Sequence, residues 1–152
     1  MDTNRDMDTE IEIDELFKRL DDIVPPKNED GSKKIILAVD DEPTNLTRIN
    51  HILKQYFDVR VCAAGRHALF MLTQFKPDLI LLDIEMPGMT GFEFMEEFQA
   101  RFPGWDIPVI FVTAHKTPGD IALASQAGAV GYVGKPFVPQ TLLSKVCVTL
   151  RR

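Results

Sequence analysis

Asp78-Leu79-Ile80-Leu81-Leu82-Asp83 decides how this chain is read: four uninterrupted apolar residues of strand length run straight into a carboxylate. A strand that is apolar on both faces belongs to a parallel sheet covered by helices on each side. Ile35-Ile36-Leu37-Ala38-Val39 and Ile107-Pro108-Val109-Ile110-Phe111-Val112 have the same character. Weaker strand signals lie at Asp58 to Cys62, where Val59 and Val61 alternate with polar residues, and at Val130 to Val133.

Helical patterns fill the intervals. Leu46, Ile49, Asn50, Leu53 and Phe57 follow Pro43, a residue suited to a first helical turn. Ala68, Leu69, Leu72 and Phe75 stop before Pro77, and Phe92, Met95, Phe98 and Phe102 stop at Pro103-Gly104. Ile121, Leu123, Ala124 and Ala127 end at Gly128, a fitting residue just beyond a helix. Leu142, Leu143, Val146 and Leu150 form the last stripe, with Arg151 and Arg152 at its negative end. The order βαβαβαβαβα predicts an α/β, doubly wound, flavodoxin-like fold: a five-stranded parallel sheet in order 2-1-3-4-5 flanked by five helices.

Composition agrees with one soluble domain. The 152 residues are 45% hydrophobic and 26% charged, ordinary values for a globular chain. A formal net charge of −6 argues against nucleic acid as a direct partner. No apolar run approaches the roughly 20 residues needed to cross a bilayer. Met1 to Glu10 is polar and acidic, unlike a signal peptide. Cys62 and Cys147 lie far apart without metal spacing and read as buried apolar positions in a reducing compartment, so the expected location is cytoplasmic.

Residues 34–152 are expected to form the domain, and residues 1–33 an acidic extension with a linker. Within the extension, Thr9 and Glu12 fit a capping box. Ile13, Leu16, Phe17, Leu20, Ile23 and Val24 then recur at helical spacing up to Pro25-Pro26, predicting an extra amphipathic helix over about 9–24. So short a helix is marginal alone in water and calls for a surface to cover. That surface is its own domain, a second copy in a homodimer, or a partner protein; the alternative is a fluctuating acidic tail.

In open α/β sheets, ligands bind beyond the carboxyl ends of the strands. Asp40-Asp41-Glu42 follows the first strand, Asp83 the third, Thr113-Ala114 the fourth and Lys135-Pro136 the fifth. Turn chemistry explains any one of them alone; the whole set, each at a strand end, converges on one pocket. Three crowded carboxylates repel and need a cation. Mg²⁺ suits an all-oxygen site and prefers phosphate as a further ligand, whereas zinc would favour His or Cys. Lys135 adds a fixed positive charge for Asp83 or a phosphoryl group, and Thr113 a hydroxyl donor. Around one exposed carboxylate, these parts describe phosphoryl transfer onto it.

Residues 34 to 150 resemble a response-regulator receiver domain of two-component phosphorelay signalling. The resemblance rests on Val39-Asp40-Asp41-Glu42-Pro43, Leu82-Asp83-Ile84-Glu85-Met86-Pro87-Gly88-Met89-Thr90-Gly91, Val112-Thr113-Ala114 and Gly134-Lys135-Pro136-Phe137. It implies that Asp83 takes a phosphoryl group from a phosphohistidine on a histidine kinase or phosphotransfer protein. It also implies Mg²⁺ held by Asp41, Asp83 and the backbone carbonyl of Glu85, with Asp40 acting mainly through water. Lys135 would bind the phosphoryl group, and Thr113, beside Ala114, would move toward it. Tyr132 stands where the family has its switch aromatic, and also reads as a tyrosine half-buried on the fifth strand. Its movement would alter the surface of the fourth helix, fifth strand and fifth helix, which is also a candidate homodimer face.

Glu85 and His115 occupy positions that the family varies to set the phosphoryl lifetime. Glu85 would repel the phosphoryl group or steer water; His115 would donate to it or simply be solvated. His51 and His67 read as surface residues. Three other classes fit these residues less well. A phosphohydrolase with an aspartyl-phosphate intermediate would place an Asp, not Glu85, two residues after its nucleophile. A pseudo-receiver would have lost some of the acidic, hydroxyl and lysine positions filled here. A flavin-binding flavodoxin lacks support, since no Ser/Thr/Gly-rich loop follows the first strand. The last stripe runs to Leu150-Arg151-Arg152, leaving no room for an output domain after it. The sequence thus reads as a stand-alone receiver or as part of a longer protein.

Overall fold

In the computed structural model, residues 25–151 are described. The extra helix expected over about 9–24 lies outside the described residues. Strands β1 (Ile35–Val39), β2 (Asp58–Cys62), β3 (Leu79–Leu82), β4 (Val109–Thr113) and β5 (Gly131–Gly134) alternate with five helices. These are α1 (Pro43–Leu53), α2 (Gly65–Met71), α3 (Gly91–Arg101), α4 (Pro118–Gln126) and α5 (Pro139–Leu150). All four strand pairings are parallel, and the sheet order is β2-β1-β3-β4-β5, as the alternation predicts.

Successive strand residues point to opposite faces, so each apolar strand feeds two cores. Leu37, Val39, Ile80, Leu82 and Phe111 pack with Leu69 of α2, Phe94 and Phe98 of α3 and Ala124 of α4. Ile36, Ala38, Leu81, Ile110 and Val112 pack on the other side with Ile49 and Leu53 of α1 and Leu142 and Val146 of α5. Capping boxes start α3 and α4: Thr90 with Glu93, and Thr117 with Asp120, satisfy the first-turn amides. Residues 25–33 form a turn at the foot of β1, where Lys27 bridges Lys33 and the Lys33 ammonium donates to the Lys54 carbonyl.

Several local expectations shift. β4 begins at Val109: Pro108 has no N–H for the ladder, although its carbonyl accepts from the Ile80 amide at 3.0 Å. Thr113 is accordingly the last residue of β4 rather than the first beyond it. On α3 the buried face is Gly91, Phe94, Met95 and Phe98, with Phe94 replacing Phe92 in the expected stripe. The largest difference is α4, where Ala124 alone is buried while Ile121 and Leu123 are 45% and 53% exposed. α4 lies at the β5 edge of the sheet, where among the described residues no further strand extends the sheet. Cys62 and Cys147 are buried free thiols, and burial pushes both up from the usual thiol range. His51 and His67 are exposed. Among the described residues no helix is long and apolar enough to cross a membrane.

Candidate functional site

Strand register builds the site. Val39 sits opposite Leu82, so the residues that follow them, Asp40 and Asp83, leave the sheet side by side. Carboxylate oxygens of Asp40, Asp41 and Asp83 all lie within 4.8 Å of one another, a spacing that could hold a metal ion. Asp83 was expected as an exposed carboxylate; it is only 6% exposed, because the strand ends set it at the floor of a pocket rather than on its rim. That pocket has a volume of about 690 Å³. Asp41, Asp83, Glu85, Thr113, Ala114, His115 and Lys135 all line it, while Asp40 lies behind them, 2% exposed.

Lys135 is the cation of the cluster. Its ammonium donates to Asp40 Oδ2 at 2.6 Å and to Asp83 Oδ2 at 3.1 Å. Burial draws the ammonium down, but the hydrogen bonds and charges of Asp40 and then Asp83 outweigh it and hold Lys135 above its usual range. Asp40 is therefore tied directly to lysine, and its Oδ1 accepts from the Glu42 amide at 2.9 Å. Three carboxylates face one ammonium, and Asp41 has no ion pair among the described residues. The cluster keeps an excess of negative charge that a bound cation would neutralise.

The loop bearing Lys135 is fixed from three sides. The Lys135 amide donates to the Thr113 carbonyl at 2.8 Å, and the Lys116 ammonium donates to the Lys135 carbonyl at 2.8 Å. From α1, the Arg48 guanidinium donates to the Phe137 carbonyl at 2.7 Å and stands 4.9 Å from that ring's centre. Met86 and Phe137, quoted within the sequence motifs, line the pocket, as do Arg48 and Asn45, which the motifs do not contain. Arg48 and Asn45 were legible in principle: three residues apart, they share one face of the helix that follows Asp41.

Glu85 and His115, separate in the sequence, meet across the pocket mouth: His115 Nε2 is 3.1 Å from Glu85 Oε2. That hydrogen bond raises the His115 pKa; desolvation opposes it, and the charges of Glu85, Asp120 and Asp83 add to it. Both side chains are well exposed, so the pair contributes little to stability. Thr113 is fully buried, and its hydroxyl accepts from the His115 amide at 3.3 Å. Tyr132 is not among the residues lining this pocket. It is half-buried, as expected, with its hydroxyl buried and lacking a hydrogen-bond partner. Burial raises its pKa, helped by the charges of Asp120 and Asp83.

Gly91 secures the floor. Its amide donates to the Ile84 carbonyl at 2.7 Å. A Cβ there would stand 2.5 Å from the Asp83 carbonyl oxygen and 2.9 Å from Ile84 Cα, inside backbone that cannot move aside without shifting Asp83. The start of α3 can press against the loop after β3 only because residue 91 has no side chain.

Comparison with known proteins agrees with this geometry. A family model described as the response regulator receiver domain matches residues 36–147. A probable cyclic di-GMP phosphodiesterase of Vibrio cholerae is 41% identical over 118 residues, covering 78% of this chain and 27% of that protein. The DNA-binding response regulator MtrA of Mycolicibacterium smegmatis is 35% identical over 124 residues, covering 81% of this chain and 53% of its own length. This chain thus spans about half or less of these two relatives. Among solved structures, the Vibrio cholerae chemotaxis protein CheY4 superposes with a TM-score of 0.71 at 32% identity, covering 76% of this chain and 97% of that one. A CheY-like receiver domain protein from Methanospirillum hungatei gives 0.72 at 31% identity, covering 79% and 95%.

Proposed function

The chain belongs to the response regulator receiver domain family, a phosphorelay signalling module, and from that premise we propose that Asp83 is its phosphate-accepting carboxylate. The observation that carries the proposal is the grouping of Asp40, Asp41 and Asp83 around an open pocket, with Lys135 bridging two of them. The donors are all oxygens, as a Mg²⁺ site requires. Asp40, Asp41, Asp83 and the backbone carbonyl of Glu85 would hold the ion, which when bound supplies positive charge to the crowded carboxylates and the incoming phosphoryl group.

In the proposed reaction, an Asp83 carboxylate oxygen attacks phosphorus on a phosphohistidine of a histidine kinase or phosphotransfer protein. A new P–O bond forms as the P–N bond breaks, and the imidazole leaves with the electron pair. Lys135, already charged and anchored, binds a phosphoryl oxygen. Thr113, beside Ala114, turns its hydroxyl from the His115 amide to a second oxygen. The space it vacates admits Tyr132, whose unpartnered hydroxyl leaves the ring little to lose by moving. The surface of α4, β5 and α5 changes with it and serves as the face for partners or a second copy. Glu85 and His115, at the mouth, set how long the phosphoryl group stays.

The domain so read is a cytoplasmic switch without turnover of a separate substrate, acting by protein contacts rather than by binding nucleic acid itself. The phosphodiesterase and DNA-binding functions in the relatives' names belong to much longer proteins. By the same reading the receiver occupies residues 34–152 and residues 1–33 are an extension. Incubating the full chain with Mg²⁺ and acetyl phosphate, then weighing and mapping it, tests the proposal. One phosphoryl group on Asp83, absent when EDTA replaces Mg²⁺, is the expected result; no uptake, or uptake elsewhere, overturns it. Following the same mass over time, Glu85→Ala/His115→Ala is expected to change the half-life by about threefold or more. An unchanged half-life removes that pair from the mechanism.

A further inference from the structure

Lys135 reaches Asp40 and Asp83 from a segment that belongs to neither the sheet nor a helix: β5 ends at Gly134 and α5 begins at Pro139. Such a segment keeps its shape through the bonds its backbone makes elsewhere. Pro136 and Pro139 have no N–H to contribute. The Lys135 amide donates back to β4, at the Thr113 carbonyl. The carbonyls of Lys135 and Phe137 accept from two side-chain cations, Lys116 and Arg48.

The two cations differ in what holds them. Lys116 is exposed and lies in the loop between β4 and α4, its stem crossing Gly134, where an added Cβ would stand 3.0 Å from its Cδ. On the reading above, Thr113 at the start of that loop moves when Asp83 is phosphorylated, and Lys116 moves with it. Arg48 stands on α1, which Leu46, Ile49 and Leu53 bury against the sheet. Its guanidinium touches one residue twice, 2.7 Å from the Phe137 oxygen and 4.9 Å from the ring centre. That ring is itself buried with Leu142 and Val146. A planar guanidinium both stacks and hydrogen-bonds in this way.

Arg48 shares its pocket with Asp41 and Glu42, yet among the described residues it pairs with no carboxylate. Its donors go to the loop instead. Only Pro136, its φ fixed by the ring, separates Phe137 from Lys135, so little slack lies between the Arg48 contact and the lysine.

We propose that Arg48 is a positioning residue for phosphoryl transfer, holding the Phe137 end of the loop so that Lys135 stays over Asp40 and Asp83 while the Thr113 loop moves. This inference rests on Asp83 as the acceptor. Misplacing a reacting group by about 1 Å costs on the order of a hundredfold in rate; losing one of several holds on the loop should cost less. Arg48 is exposed, so Arg48→Met is expected to fold. It is expected to take up the phosphoryl group from acetyl phosphate in Mg²⁺ about tenfold more slowly than the native chain. Added to Lys135→Met it is expected to slow uptake no further, because no ammonium is left to place. A second measurement needs no phosphate: in EDTA, hydrogen exchange of the Lys135 ammonium, followed by NMR, is expected to quicken about tenfold in Arg48→Met. Equal uptake, the same fold loss with and without Lys135, or unchanged ammonium exchange would each overturn the proposal. If the native chain gains no phosphoryl group, the reading of Asp83 fails, and the ammonium exchange alone decides the role of Arg48.

Discussion

Asp83→Asn is expected to remain folded and to take up no phosphoryl group from acetyl phosphate in Mg²⁺, where the native chain gains one. Asparagine keeps the shape of the side chain but removes the negative oxygen that must attack phosphorus. Lys135 stays paired with Asp40, the shorter of its two contacts, so the pocket retains its cation. Stability in EDTA should hold or rise, on the order of 1 kcal/mol, because one of three mutually repelling carboxylates has gone. Mass spectrometry reads the first effect and urea melts the second. A phosphoryl gain in the asparagine variant equal to that of the native protein would remove Asp83 as the acceptor.

The second large effect is expected at Lys135. Lys135→Met fills much of the same volume but leaves Asp40 and Asp83, 2% and 6% exposed, without their shared counter-ion. Breaking a buried pair by removing one partner costs about 3 kcal/mol or more. Urea unfolding in EDTA should show a loss of that size. Saturating Mg²⁺ should recover part of it, since a bound cation takes over the neutralisation and stabilises the folded state by mass action. Phosphoryl uptake should fall at least about tenfold even in Mg²⁺, because the ion does not replace the lysine's contact with the phosphoryl group. Unaltered stability in EDTA would mean that the two carboxylates are solvated well enough to need no lysine.

Different parts of this molecule were legible to different degrees. Leu79 to Leu82 announces a strand buried on both faces, and all four residues are buried. The helices over α1 and α5 were readable because their stripes face a wide sheet that buries them. α4 misled for the opposite reason: Ile121 and Leu123 belong to a stripe with Ala124 and Ala127, yet at the edge of the sheet, among the described residues, they stay 45% and 53% exposed. Periodicity reports which residues could be buried; the width of the sheet beneath decides which are.

The site divides in the same way. Sequence alone determined the identity and chain position of Asp40, Asp41, Asp83, Thr113 and Lys135, because a residue type at a strand's carboxyl end is a local property. Tertiary structure decided how they meet: that Lys135 bonds Asp40 more closely than Asp83, that Asp83 lies at a pocket floor, and that Glu85 reaches His115. It also brought in Arg48, whose tie to Phe137 spans 89 residues. Local chemistry is written residue by residue, whereas these distances depend on strand register and loop packing, which exist only once the two cores have closed on the sheet.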